Sequence, residues 1–295
     1  MIVREVITMN RPARILAIHD LSGFGRCSLT VIIPVLSAMG MQVCPVPTAV
    51  LSSHTGGLGE VELRDLTDYL APTLQHYKKL ELDFECIYSG FLGSSQQIDH
   101  CLEFFKSYPD ALAVVDPVMG DHGRAYRTVT PEMRARMHEL VSVADLITPN
   151  LTEACMLLGE NYDPVPLTVE QAKSKLVRLS KLGPKQVVIT GVELASFETI
   201  CNIGYDARRG AFWCVACDYV PVSYPGTGDL FAAVLTGALL QGDSLPMAME
   251  RATRFAQTAI KTTYSYGEDT RYGVMLEPIL SQLSQREITA GYHTL

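Results

Sequence analysis

Apolar runs too short for a buried helix alternate with amphipathic stretches along most of this chain. "RILAIH" (14–19), "QVCPVPT" (42–48), "FECIYSG" (84–90), "ALAVVDP" (111–117), "DLITPN" (145–150) and "QVVITG" (186–191) read as strands, several of them apolar on both faces. Between them lie helical patterns: "RCSLTVIIPVLSAMG" (26–40), stopped by Gly40, then 62–78, which is rich in polar residues, 94–106 and 169–182. The segment 199–217 breaks the alternation, because "DARRG" (206–210) between two β-rich runs predicts a hairpin and hence an antiparallel edge. Helices follow at 229–241, 245–263 and about 276–286. Strands alternating with helices predict a mainly parallel central sheet covered on both faces, a three-layer α/β/α architecture. With no linker, repeat or low-complexity tract, residues 1–295 form one expected domain, with 1–13 and 287–295 as peripheral tails.

Charge and composition narrow the partners. The net charge is −8 and the pI near 5.4, which is the wrong sign for a nucleic-acid surface. Residues 29–51 are apolar enough to raise a membrane span, but Pro34, Gly40, Pro45 and Pro47 divide them, so a helix followed by a strand is expected. Scattered charges in "MIVREVITMNRPAR" exclude a signal peptide. Eight spaced cysteines without that signal imply reduced thiols and a cytoplasmic protein; "CVAC" lacks the second pair a zinc site needs.

In doubly wound sheets ligands sit at the carboxyl ends of the strands. The loops there are "DLSGFG", "AVLSSHTGG", "SGFLGSS", "DPVMGDHG" and "PNLTEA", which hold much of the chain's small and polar chemistry. There is no Walker lysine motif, no complete dinucleotide fingerprint, no H-E-x-x-H and no G-x-S-x-G. "PGTGD" (225–229) opens a helix apolar on nearly every side. Its amides and helix dipole can bind an anion without lysine, and Asp229 can serve as a base; the same residues equally suit a tight turn with a capping aspartate. Asp116 and Asp121 read as a solvated turn or as ligand-facing carboxylates. Asn150, Thr152 and Glu153 read as a helix cap or, through Glu153, as a hold on a Mg2+–water shell. His54 and Thr55 are donors for a small polar ligand unless His54 is structural.

Taken in order, "SSHTGG", "YSGFLGS", "DPVMGD", "ITPNLTEA", "VVIT" and "PGTGD" resemble the ribokinase superfamily and, within it, the pyridoxal/pyridoxamine (vitamin B6) kinases. The resemblance implies a ribokinase-like fold, usually a homodimer, and ATP-dependent phosphorylation of the 5′-hydroxymethyl group of pyridoxal, pyridoxine or pyridoxamine. It implies Asp229 as base, with the amides of Gly226, Thr227 and Gly228 as anion hole. Asp116, Asn150 and Glu153 would organise ATP and Mg2+, the metal lying against Asp116 and Glu153, with Asp121 and Thr190 near the nucleotide. A monovalent cation is left open. Thr55 and Phe91 fall where that family contacts the pyridine ring, and Asp20, Ser22 and His54 complete the expected substrate side. Residues 56–79 lead straight into a helix where sugar kinases carry a sheet lid. D-x-S-G at Asp20–Gly23 looks more like the hydroxymethylpyrimidine kinases, the alternative enzyme, while Asp229 itself sides with the B6 group. From another class, a non-catalytic nucleotide- or B6-binding protein is weighed against by the intact base and glycines. The charge of Asp20 suggests that it reaches polar ring substituents and favours a cationic amine.

Overall fold

The computed structural model describes residues 11–196, 199–218, 220–285 and 291–295. Its strands are β1 Arg14–Phe24, β2 Gln42–Ser53, β3 Leu63–Asp65, β4 Cys86–Ser89, β5 Leu112–Val115, β6 Gly120–Asp121, β7 Arg124–Ala125, β8 Leu146–Ile147, β9 Gln186–Glu193, β10 Ile200–Asp206, β11 Ala211–Cys217 and β12 His293–Thr294. All but the small β6–β7 hairpin join one ten-stranded sheet, β12-β11-β10-β9-β8-β5-β4-β1-β2-β3. From β9 through β8, β5, β4 and β1 to β2 neighbours run parallel, and the two margins are antiparallel. The mainly parallel sheet with an antiparallel edge hairpin is the arrangement expected from the sequence.

Strand alternation builds two cores. In β1, Ile15 and Ala17 face helices α1 (Leu29–Ala38), α7 (Thr227–Leu240) and α8 (Leu245–Tyr266). Leu16 and Ile18 face the opposite layer of α2 (Thr67–Lys79), α3 (Ser95–Ser107), α4 (Pro131–Val143), α5 (Leu151–Leu158) and α6 (Val169–Ser180). This period of two, sandwiched between helices, is why the strands are apolar on both sides. Residues 29–51 divide around Gly40 into α1 and β2, with Pro34 inside the helix and Pro45 and Pro47 inside the strand, and no helix among the described residues is long and apolar enough to cross a membrane.

The differences from the sequence reading have local causes. β1 continues past His19 to Phe24 because its pairing with β2 shifts register between His19 and Leu21. The irregularity turns His19 and Asp20 inward together, and both are buried. Residues 56–79 do not lead straight into a helix: β3 first pairs antiparallel with β2. Helix α4 was not anticipated; Pro131 opens it and the Thr130 hydroxyl caps it. The expected helix at 276–286 is limited to a 3-10 turn, Leu280–Ser284, with residue 286 outside the described residues. Of the expected tails, 1–10 and 287–290 lie outside the described residues. Arg11 ties to Asp83 at 2.6 Å and Glu85 at 3.1 Å, and β12 pairs with β11.

Candidate active site

The carboxyl ends of β1, β4, β5, β8 and β9 and the start of α7 surround one cleft. Gly226 precedes α7 in the left-handed region (φ 77°), and no side chain caps that helix. Asp229 to Ala238 are all buried while Gly226 and Gly228 line the cleft, so the positive end of the α7 dipole and its uncapped first-turn amides lie at the cleft. A Cβ on Gly226 would lie 2.2 Å from the Arg26 carbonyl oxygen, whereas one on Gly228 would meet nothing within 4 Å. Gly226 therefore locks the loop after β1 to the helix start, while Gly228 leaves bare backbone along the cleft. Thr227 turns its hydroxyl back to donate to the Tyr224 carbonyl at 3.1 Å.

Asp229 is 8% exposed. Its Oδ2 accepts the Ser28 amide at 2.7 Å and the Cys27 thiol at 3.3 Å. Ser28 adopts φ 57°, ψ −135°, a backbone state that side chains rarely take, and it aims that amide. Burial, followed by the Asp229 and Asp20 charges, pushes the Cys27 thiol well up, so it stays a neutral donor. On the other side, His19 Nε2 lies 3.1 Å from Asp229 Oδ1. That is close enough for an ion pair, yet Nε2 has no partner that meets hydrogen-bond geometry, so the contact is a charge contact off the N–H line.

Asp116, 7% exposed, and Glu153, 4% exposed, stand across the cleft. Burial, reinforced by Asp229, lifts Asp116 to about 7 despite His19. Burial and then Asp116 raise Glu153 well above the usual carboxylate range. Glu153 is also the reciprocal cap of α5: Asn150 Oδ1 accepts its amide at 2.9 Å, and its Oε2 accepts the Asn150 amide at 2.9 Å. Its Oε1 takes the Met119 amide at 3.0 Å, and Asn150 Nδ2 donates to the Gly120 carbonyl at 2.8 Å. The capping reading of "TPNLTEA" therefore holds, and the same contacts fix Glu153 in the cleft wall.

Thr190 lines the cleft at the end of β9, bridged to Asn150. Asp121 lies apart in the β6–β7 hairpin, with a side chain 45% exposed beside His122. On the other flank Leu51, Phe91 and Val118 give an apolar wall beside exposed Thr55. Asp20 and Ser22 line the cleft too, but both Asp20 oxygens are engaged: His19 Nδ1 is 2.9 Å from Oδ1 and the Ser22 hydroxyl donates to Oδ2 at 2.9 Å. Asp20 thus holds His19 while lining the cleft.

His54 is likewise fully used. Nδ1 accepts the Gly56 amide at 3.0 Å and Nε2 donates to the Arg271 carbonyl at 2.6 Å, pinning the β2 loop to the turn at Thr270–Tyr272. Its structural reading holds for both nitrogens. His54→Ala is expected to destabilise the fold by about 1–3 kcal/mol through two unpaired backbone groups. A urea titration unchanged from wild type would contradict this.

His19, Cys27 and Ser28 were passed over in the sequence. Only the sheet irregularity and the strained loop bring them to Asp229, and neither leaves a recognisable spacing.

A carboxylate at the uncapped start of a buried helix thus faces two further carboxylates across a cleft at the strand ends of an α/β/α sheet. The phosphomethylpyrimidine kinase profile matches residues 33–273, and the chain belongs to that family, among the pyridoxal kinases of the ribokinase superfamily. A Bacteroides thetaiotaomicron VPI-5482 protein, provisionally described as a phosphomethylpyrimidine kinase, is 46% identical, with a TM-score of 0.92 over 98% of this chain and 100% of its own. A second crystal form of it, with pyridoxal, is 45% identical with the same TM-score, covering 97% and 100%. Pyridoxal kinase from Lactobacillus plantarum is 32% identical, TM-score 0.85, over 92% of this chain and 96% of its own. Pyridoxal kinase PdxY of Deinococcus radiodurans is 26% identical over 277 residues, 89% of this chain and 91% of its own.

Proposed function

We propose that this protein transfers the γ-phosphoryl group of ATP to the 5′-hydroxymethyl group of pyridoxal, pyridoxamine or pyridoxine, with Asp229 as general base. The observation that carries the reading is the buried Asp229 carboxylate at the uncapped start of α7, inside the cleft. Kinship with pyridoxal kinases, and the pyridoxal in the Bacteroides thetaiotaomicron structure, support the acceptor.

In this reading the planar ring lies against Leu51, Phe91 and Val118. The acceptor O–H proton passes to Asp229 as its oxygen bonds to the γ-phosphorus and the bond to the ADP oxygen breaks. Amides of the Gly226–Gly228 turn and the α7 dipole take up the charge that develops on the phosphoryl oxygens. Asp116 and Glu153 suit Mg2+: both are buried carboxylates that line the same cleft. No group of three or more His, Cys, Asp or Glu side chains among the described residues forms a metal cage. That fits Mg2+, which keeps several waters and binds through one or two carboxylates and the phosphates. When bound it would neutralise phosphate charge. Asn150 and Thr190 border the nucleotide side. A homodimer in the cytoplasm belongs to the same proposal, supported by the family resemblance and by eight free cysteines.

The family profile keeps hydroxymethylpyrimidine as the second acceptor. ATP turnover measured with pyridoxal, pyridoxamine, pyridoxine and hydroxymethylpyrimidine decides. The expected result is the highest kcat/KM with a B6 vitamer. A preference for the pyrimidine assigns the other kinase, and no turnover with any acceptor overturns the catalytic reading.

A further inference from the structure

His19 sits between two carboxylates at the centre of the cleft wall. Its side chain is 3% exposed, with Nδ1 2.9 Å from Asp20 Oδ1 and Nε2 3.1 Å from Asp229 Oδ1. Asp20 is fixed in turn by the Ser22 hydroxyl. A carboxylate oxygen stands by each ring nitrogen, and the Asp20 amide also points at Nδ1, 3.0 Å away. The ring packs edge-on against Tyr88, 6.3 Å between centroids.

Gly90 is shaped to this ring. A Cβ there would lie 2.0 Å from His19 Cδ2 and 2.1 Å from Nε2. The Gly90 amide donates to the Ile18 carbonyl at 3.0 Å, so the backbone cannot easily retreat. The glycine of "YSGFLGS" therefore has a physical reason that no ligand contact requires: the imidazole occupies the space of its missing side chain.

We propose that His19 is a positioning residue for phosphoryl transfer: Asp20 aims its imidazole, and the imidazole holds the Asp229 carboxylate with Oδ1 toward the acceptor hydroxyl. This deepens the reading of Asp229 as base and rests on it. Oδ2 is committed to the Ser28 amide and the Cys27 thiol. Oδ1 has only the off-line charge contact with His19, so it keeps a lone pair for the incoming proton. During transfer that proton goes from the acceptor oxygen to Oδ1, the oxygen–phosphorus bond forms, the bond to ADP breaks, and His19 neither gains nor loses a proton. Burial opposes charge on His19, but the Asp229 carboxylate, followed by Asp20, outweighs it and lifts the imidazole to about 10. The other ionisable groups that act on this pair are Cys27 from the loop after β1, Tyr88 on β4, Asp116 after β5 and Tyr126 after β7.

The test compares His19→Ala, His19→Gln, Gly90→Ala and the double variant His19→Ala/Gly90→Ala with Asp229→Asn, reading kcat and KM. His19→Ala is expected to lower kcat roughly 10- to 100-fold, the scale for a mispositioned reacting group, with KM within about threefold. His19→Gln, which restores a donor but no charge, should recover part of kcat. Gly90→Ala should cost kcat about as much as His19→Ala when the ring is present, and less than about threefold when it is already gone. Wild-type kcat in both His19 variants would overturn the proposal. So would an equal cost of Gly90→Ala in both backgrounds, a test that holds even if one single variant folds poorly. If Asp229→Asn keeps full turnover, the base reading fails as well; if Asp229→Asn is inactive while the His19 variants behave as wild type, only the role of His19 falls.

Discussion

Asp229→Asn is expected to lower kcat at least about 100-fold while KM changes far less, because loss of a general base acts on the transition state and not on ground-state binding. The substitution is nearly isosteric, and the amide oxygen can still accept the Ser28 amide that now lies 2.7 Å from Oδ2. What disappears is the lone pair and charge on the side facing His19. A change that spares shape while removing basicity separates chemistry from folding. Removing one negative charge should also ease the burden on Asp116, whose protonation Asp229 favours, so thermal stability should not fall in step with activity. Steady-state kinetics and a melting curve on the same preparation check both halves. Turnover near the wild-type value would return Asp229 to the role of a helix-end residue.

Gly226→Ala should combine lost stability with lost activity, and the reason lies in the backbone. The residue sits at φ 77°, ψ 0°, which costs a side-chain-bearing residue roughly 1–2 kcal/mol. The added Cβ would lie 2.2 Å from the Arg26 carbonyl oxygen and 3.1 Å from the Cys27 Cα, both backbone atoms that no rotamer change can clear. Either the start of α7 or the loop after β1 must shift, and that loop carries Ser28 and Cys27 against Asp229. A displacement of about 1 Å at a reacting group is worth about 100-fold in rate, so kcat should fall by about that much alongside a lower Tm. Gly228→Ala is the control. Its Cβ meets no protein atom within 4 Å, so Tm should stay near wild type while KM for ATP rises as the methyl group narrows the phosphate approach. Equal melting temperatures for Gly226→Ala and wild type would contradict the backbone account.

Patterning made the architecture legible. Buried strands between helices leave continuous apolar runs, and β10 and β11 betrayed the antiparallel edge through "DARRG". Marginal elements were harder. β3 is three residues long and exists because β2 offers it an edge, while "LRD" carries no strand signal of its own. Helix α4 was missed although Pro131 and Thr130 are ordinary start signals. Its apolar stripe is interrupted by charges such as Arg136, which pairs with Asp99 and Glu139. The 3-10 turn at Leu280–Ser284 shows the converse, a helical-looking sequence held to a single short turn.

The site divides the same way. Composition and loop position by themselves determined that a chain of this pattern gathers its polar loops at one sheet edge, and that "PGTGD" starts a buried helix there, because period and dipole are local properties. Asn150 and Glu153 were also readable as a cap, since a capping box spans only one turn. Only the tertiary structure decided what the histidines and Asp20 do. His54 is consumed by the Gly56 amide and the Arg271 carbonyl, 217 positions from the latter. His19 meets Asp229 because the register of β1 shifts at that point and Gly90 leaves room. Such contacts join residues distant in the chain, and their geometry is set by packing between layers. No spacing along the sequence encodes which face of a buried imidazole will meet a carboxylate.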